Sequence, residues 1–189
     1  TYALPETQRA EVDARIAASV YRQGEQAVAA GRVDEAVNDY LRVAAVVPDA
    51  TIRPTAVYDA ATLLLNNRRW GEAGDLLRQF RRDFPGHQFN DDVTAKLAVV
   101  LREDGRSAEA AAEYERIAAA DTSGADLARE SLWQAAELYG RAGARADEAR
   151  TLERIVERFP APFAEAQEAR QKLADLAAPG SPARQRWLG

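Results

Sequence analysis

The side chains that could do chemistry are few in this chain of 189 residues. Two carboxylate pairs stand out, Asp91-Asp92 and Glu103-Asp104. Paired acids work as general acid and base when a pocket drives their pKa values apart. Here one pair opens an expected helix and the other flanks a turn. Acidic residues are common at such places for electrostatic reasons, so both pairs read as structural. The single histidine, His87, lies in the loop Pro85-Gly86-His87 with no serine or cysteine near it in sequence. It reads as part of a surface turn. Arg68, Arg69, Arg78, Arg81 and Arg82 form a local basic patch that could meet an acidic partner or lipid headgroups. They alternate with Glu72, Asp75 and Asp83, so a solvated helix face is the simpler reading.

Absences narrow the classes further. Without cysteine there is no disulfide framework, zinc finger, iron–sulfur site or thiol nucleophile. One histidine excludes a histidine-rich metal site and leaves a Ser-His-Asp triad a single candidate base. No catalytic residue, cofactor or metal site is expected. A formal charge of −5 and a pI near 5.1 argue against a nucleic-acid binder. No apolar run approaches the roughly 20 residues needed to cross a bilayer, so membrane insertion by this stretch is not expected. The chain also starts without methionine, which suggests a fragment or processed chain with a signal peptide, lipid anchor or further domain outside it.

The elements that would position these side chains come from a repeat. GRVDEA at 31–36 returns as RRWGEA at 68–73, GRSAEA at 105–110 and GARADEA at 143–149. The turn residues Gly31, Arg68, Gly105 and Gly143 are 37, 37 and 38 apart. The alanines that follow, Ala36, Ala73, Ala110 and Ala149, are 37, 37 and 39 apart, as if the last copy carried one extra residue. Pro48, Pro85 and Pro160 close three copies, and Thr122 stands in their place in the third. Each copy reads as two helices: the first ends at a left-handed C-cap, the second begins with acids and stops near the proline. Apolar residues recur at helical spacing, as in Val37, Tyr40, Leu41 and Ala44, and no strand pattern is present. Alanine, 41 of 189 residues, is the best helix former and allows close helix contacts.

The expected helices are nine: 6–30, 33–47, 54–66, 70–83, 90–104, 107–120, 125–142, 146–159 and 162–177. The ninth has Phe163, Ala166, Leu173 and Leu176 on one side and Glu165, Glu168, Gln171, Lys172 and Asp175 on the other, the pattern of a capping helix. Pro179-Gly180-Ser181-Pro182 then breaks the helix, so 179–189 reads as a flexible tail or linker, with Trp187 and Leu188 as possible anchors.

With these residues the chain resembles the tetratricopeptide repeat (TPR), a helix pair of about 34 residues. Val20, Gly24, Gly31, Ala36, Tyr40 and Pro48 fit the first copy, and Val57, Ala61, Leu64, Ala73, Leu77 and Pro85 the second. Leu97, Ala98, Leu101, Gly105, Ala110 and Tyr114 fit the third, and Leu132, Ala136, Tyr139 and Gly143 the fourth. The resemblance implies one all-α domain over 1–178, a right-handed superhelical solenoid of antiparallel helix pairs. Its repeats would cover 17–50, 54–87, 91–124 and 129–161, with a cap over 162–177. The lengthened repeats with Phe84-Pro85 and Phe159-Pro160 endings resemble TPR proteins of the bacterial envelope, which implies a periplasmic or outer-membrane-associated module, a cytoplasmic one being the alternative.

In that family the first helices line a concave groove. The positions that point into it are Tyr21, Glu25, Tyr58, Thr62, Asn66, Asp92, Arg102, Glu103, Trp133, Glu137 and Arg141. Tyr21, Tyr58 and Trp133 share one repeat position and read either as binding anchors or as fillers between neighbouring first helices. The family's carboxylate clamp uses lysine where these aromatics stand, so its ligands are not expected. The resemblance therefore implies a non-enzymatic scaffold that binds a peptide or partner protein, monomeric on its own. The alternatives are a substrate-positioning domain of a larger enzyme and a homo-oligomerising element.

Overall fold

The computed structural model describes residues 5–120, 122–160 and 164–188, and every regular element among them is helical. The helices are α1 (Glu6–Ala29), α2 (Val33–Val46), α3 (Arg53–Asn66), α4 (Trp70–Asp83), α5 (Asn90–Glu103), α6 (Ser107–Ala119), α7 (Ala125–Arg141), α8 (Arg145–Arg158), α9 (Ala164–Leu176) and α10 (Pro182–Leu188). Nine follow the expected spans closely. The tenth does not: the stretch read as a linker contains a helix. Phe163, assigned by sequence to the ninth helix, lies outside the described residues.

The turns explain the spacing. Gly31, Gly105 and Gly143 have φ of 73°, 77° and 70°, and Arg68 holds the same left-handed conformation at 58°. The N–H one residue further on reaches back five residues, from Arg32 to Ala27, Arg69 to Leu64, Arg106 to Leu101 and Ala144 to Tyr139. This pattern satisfies carbonyls that the first helix leaves open and reverses the chain. The second helix always starts two residues past the turn residue, at Val33, Trp70, Ser107 and Arg145.

The apparent extra residue in the fourth copy therefore needs correction. Counted from the turn, the residue matching Ala36, Ala73 and Ala110 is Glu148, not Ala149. The first three are wholly buried. Glu148 fits because Gly140 lies opposite: a Cβ at Gly140 would stand 2.9 Å from Glu148 Oε1. Pro48, Pro85, Thr122 and Pro160 then all lie at one distance from their turns.

Gly180, φ 75°, falls 37 residues after Gly143, and α10 again begins two residues on. The helix–turn–helix order thus starts a fifth time, so α9 is a first helix with a second helix after it and not a lone cap. Trp187 of α10 packs against the core that holds Leu152, Ile155, Ala169 and Leu173.

The chain divides into two compact units, Thr1–Val93 and Thr94–Gly189. In the first, α1 packs on α2, α2 on α3 and α3 on α4. Its core includes Val43, Leu64, Leu77 and Phe80, all essentially inaccessible to water. Burying side chains of this size stabilises by about 1.5–3 kcal/mol each. In the second, α6 to α10 pack in sequence order around Leu132, Leu152, Ile155 and Phe159.

His87 does lie in the turn between α4 and α5, where its N–H donates to the Phe84 carbonyl, but it is half-buried instead of free on the surface. Its ring stands edge-on to Phe80 and Phe89, at centroid distances of 5.4 and 4.8 Å, and its Nδ1 accepts a 3.2 Å hydrogen bond from the Phe89 N–H. Phe84 and Tyr58 complete this aromatic cluster, which fastens the α4–α5 loop to the core.

Candidate interaction face

In the first unit, the exposed flank of the first helices is built on α1 and α3. One helical stripe of α1 carries Tyr21, Glu25 and Val28; a stripe of α3 carries Asp59, Thr62 and Asn66. Tyr21 is half-buried. Its ring rests at 5.2 Å from the Tyr40 ring, and its hydroxyl donates to Asp59 Oδ2 at 2.5 Å. Gly24 makes this possible, since a Cβ there would lie 2.7 Å from the Tyr40 ring. Tyr58 behaves in the same way one repeat later: its hydroxyl donates to Asp92 at 2.5 Å, and its ring packs at 4.7 Å on Phe89. Glu25 and Asn66 are exposed. Thr62 is half-buried, and its Oγ1 is covered without a hydrogen-bond partner.

Burial raises the pKa of Tyr21, and the hydrogen bond to Asp59 and the charges of Asp59 and Glu25 raise it further. Tyr40 shifts in the same direction, first by burial and then through Asp59 and Glu25. Both phenols thus sense a negative field from one side.

In the second unit, Arg102 is drawn toward its own repeat, with Nη1 3.3 Å from the Tyr114 hydroxyl and Nη2 3.1 Å from Glu103. Trp133 packs against the core and receives Lys172 of α9 at 4.9 Å from its ring. Glu137 is half-exposed and Arg141 exposed. The three aromatics at the shared repeat position are therefore both filler and surface: each is half-buried, with its polar edge or ring face tied to the next first helix. Sequence reasoning missed the groups that tie them, Asp59 and Lys172. Asp59 was findable, because it follows Tyr58 and stands nearly one repeat after Tyr21.

The other candidates resolve into local pairs. Asp92 serves Tyr58, and Glu103 pairs with Arg102. Arg69, just before α4, bridges Glu72 of α4 and Asp34 of α2, and Arg78 pairs with Asp75, as a solvated face would. No group of three or more potential metal ligands occurs among the described residues. None of their helices is long and apolar enough to cross a membrane.

The second unit also holds a polar centre that the sequence did not announce. Glu115 of α6 accepts from Tyr139 of α7 at 2.9 Å and from Arg150 and Arg154 of α8 at 3.1 and 2.6 Å. Thr151 Oγ1 lies 3.3 Å away and donates to the Asp147 carbonyl at 2.8 Å. Burial, then the bond to Glu115, pushes the Tyr139 pKa up to about 12, with Arg150 opposing.

Known proteins agree on the fold. A family model for the tetratricopeptide repeat matches residues 130–161. Among solved structures, MamA from Desulfovibrio magneticus RS-1, residues 41 to the end, is 14% identical, with 91% of this chain and 89% of that one covered and a TM-score of 0.51. A tetratricopeptide repeat protein from Parabacteroides merdae ATCC 43184 is also 14% identical, with 90% and 63% covered and a TM-score of 0.54. No curated protein matches the chain in sequence. The fold is that of tetratricopeptide-repeat proteins, all helical among the described residues and built from successive antiparallel helix pairs.

Proposed function

We propose that this chain is a non-catalytic interaction module that binds a peptide or partner protein on the exposed flanks of its first helices. The observation that carries this reading is the state of Tyr21 and Tyr58. Both rings are held in fixed orientation by carboxylates of the next first helix, yet both stay half-exposed beside Glu25 and Asn66. Such a surface is ordered before a partner arrives, so binding costs little side-chain entropy on this side. Aromatic rings with few rotatable bonds are frequent binding anchors. Asn66 both donates and accepts, which suits an extended peptide backbone. In the second unit, Trp133, Glu137 and Arg141 are the corresponding candidates.

The test is selection of a displayed random peptide library on the protein, followed by titration of the selected peptides. Tyr58→Ala and Trp133→Ala are each expected to weaken binding by more than about 1 kcal/mol while the melting temperature holds. Failure to select any peptide, or early melting with unchanged affinity, would overturn the reading. For location we propose the bacterial periplasm or outer membrane, supported by the lengthened repeats with Phe84-Pro85 and Phe159-Pro160 endings. Cell fractionation of the native organism tests that, and recovery in the cytoplasm would refute it.

A further inference from the structure

We propose that the α1–α3 face of the first unit takes a basic peptide segment, with a lysine or arginine side chain seated against Tyr21 between Glu25 and Asp59. This rests on the interaction reading above and gives its partner a chemistry. The argument starts from charge. Asp59 and Arg53 are the only charged residues of α3. Arg53 is engaged elsewhere, pairing with Asp83 at 3.2 Å and lying 5.1 Å over the Phe84 ring. On α1, Arg22 is exposed and its Nε donates to the Ala18 carbonyl, along its own helix. Among the described residues, neither Asp59 nor Glu25 forms a salt bridge, which sets them apart from Asp34, Asp39, Glu72, Asp75 and Asp83 of the same unit.

The Tyr21 hydroxyl fills one acceptor site of the Asp59 carboxylate, and a carboxylate offers about four. The raised pKa of both Tyr21 and Tyr40 has Asp59 and Glu25 among its causes, so the carboxylates act on the same patch. A guanidinium or ammonium arriving there would gain charge-assisted hydrogen bonds and the face of an aromatic ring together. Two further features of the stripe suit the rest of such a peptide. Val28, 40% exposed, offers an apolar contact one turn from Glu25. The exposed Asn66 amide follows Asp59 along α3.

The experiment uses the full chain and fluorescence anisotropy with labelled peptides of one length, rich in arginine, glutamate or serine. The arginine peptide is expected to bind, with an affinity that falls as salt rises. The double substitution Asp59→Asn with Glu25→Gln should weaken it by about tenfold or more. A charge-matched control at exposed acids off this face, Asp49→Asn with Glu157→Gln, should change it by less than about twofold. Equal loss in both variants would reduce the effect to net charge and overturn the proposal. If the double variant melts early, Glu25→Gln alone decides, because Glu25 is exposed and makes no hydrogen bond among the described residues. Library selection separates the two readings. Selected peptides without lysine or arginine that still need Tyr58 would sink the charge assignment and leave the interaction module standing. No selected peptide at all would sink both.

Discussion

Both units join helices with tyrosine–carboxylate hydrogen bonds, and two of these, Tyr21–Asp59 and Tyr139–Glu115, sit in opposite surroundings. In the first unit Tyr21 donates to Asp59 at 2.5 Å, with no cation paired to that acid among the described residues. In the second, Tyr139 donates to Glu115 at 2.9 Å, and Arg150 and Arg154 take up the remaining charge. Glu115 has 16% of its side chain exposed; it is covered and saturated. A buried carboxylate tolerates its surroundings only when paired and hydrogen-bonded, and Glu115 meets both conditions. Asp59 meets one, and meets it at a half-exposed flank. The same pair of residue types therefore closes a joint in one place and leaves a recognition surface in the other.

Removing each acid should expose that difference most strongly. Glu115→Ala leaves Arg154 and the Tyr139 phenol without this partner and takes one of two acids from Arg150, which keeps Asp147, across α6, α7 and α8. Complete burial of such a network would place the cost near the top of the range for broken ion pairs, but Arg150 and Arg154 are 52% and 38% exposed. Discounted for that solvent access, the loss is about 2–3 kcal/mol. Asp59→Ala should cost only about 1 kcal/mol, the worth of one hydrogen bond. Urea melts of both variants check the ranking; equal losses would mean that Asp59 is as structural as Glu115.

The glycines that make room in the two units give a second contrast. Gly24→Ala drives a Cβ into the ring of Tyr40, which is 6% exposed and cannot swing away. The expected cost is about 1–2 kcal/mol, even after the gain in helix propensity. Gly140→Ala meets only the end of Glu148, which can turn aside. Helix propensity then dominates, and the variant should be neutral or more stable by up to about 1 kcal/mol. Thermal melts of the pair separate rigid from yielding neighbours.

The sequence made the helices legible because turn and packing recur together. A turn residue, a small residue five positions later and a closing aromatic or proline constrain where each helix stops and which face it buries. It misled where one residue type stood in for another. Ala149 drew the register because alanine was expected there, while Glu148 occupies the position through the space left by Gly140. His87 read as a surface residue because it follows Pro85-Gly86 in a turn; its aromatic neighbours Phe80, Phe84 and Phe89 come together around it only in three dimensions. Pro182 looked like a breaker, yet it starts α10, where its fixed φ and missing N–H cost nothing. At the candidate face the tyrosines were readable from repeat position. Of their carboxylate partners, Asp92 was named as a groove position and Asp59 was overlooked, because the pairing between residues 21 and 59 depends on how one first helix lies against the next.

Alkaline titration should order the two phenols. Both are held protonated in the folded state, Tyr139 with a pKa of about 12 against an ordinary 10.0 and Tyr21 above that. A folded-state pKa raised in this way contributes stability that is complete below the ordinary value and is lost as pH climbs through the folded one. Stability from these groups should thus hold up to about pH 10 and decline above it. Tyr139 should ionise first, because Arg150 favours its phenolate and no cation does so for Tyr21. Absorbance of the phenolate in wild type, Tyr21→Phe and Tyr139→Phe assigns the steps. A reversed order would contradict the contrast between a paired and an unpaired acid.

The smallest expected effect lies in the turns. Arg68 of the first unit holds φ 58°, where the second unit uses Gly105 and Gly143. A left-handed conformation costs a residue with a Cβ roughly 1–2 kcal/mol, and glycine avoids that strain. Glycine also loses more chain freedom on folding, which offsets part of the gain. Arg68→Gly should therefore stabilise by about 0.5–1 kcal/mol. Arg68 is exposed, so little packing is lost with its side chain. The reverse exchange, Gly105→Arg, should destabilise by a similar amount: nothing lies within 4 Å of where its Cβ would stand, which leaves backbone strain as the main cost. If Arg68→Gly instead destabilised the protein, its side chain would be contributing more than the conformation it is forced to adopt. The two units would then differ in how their turns are held as well as in how their acids are paired.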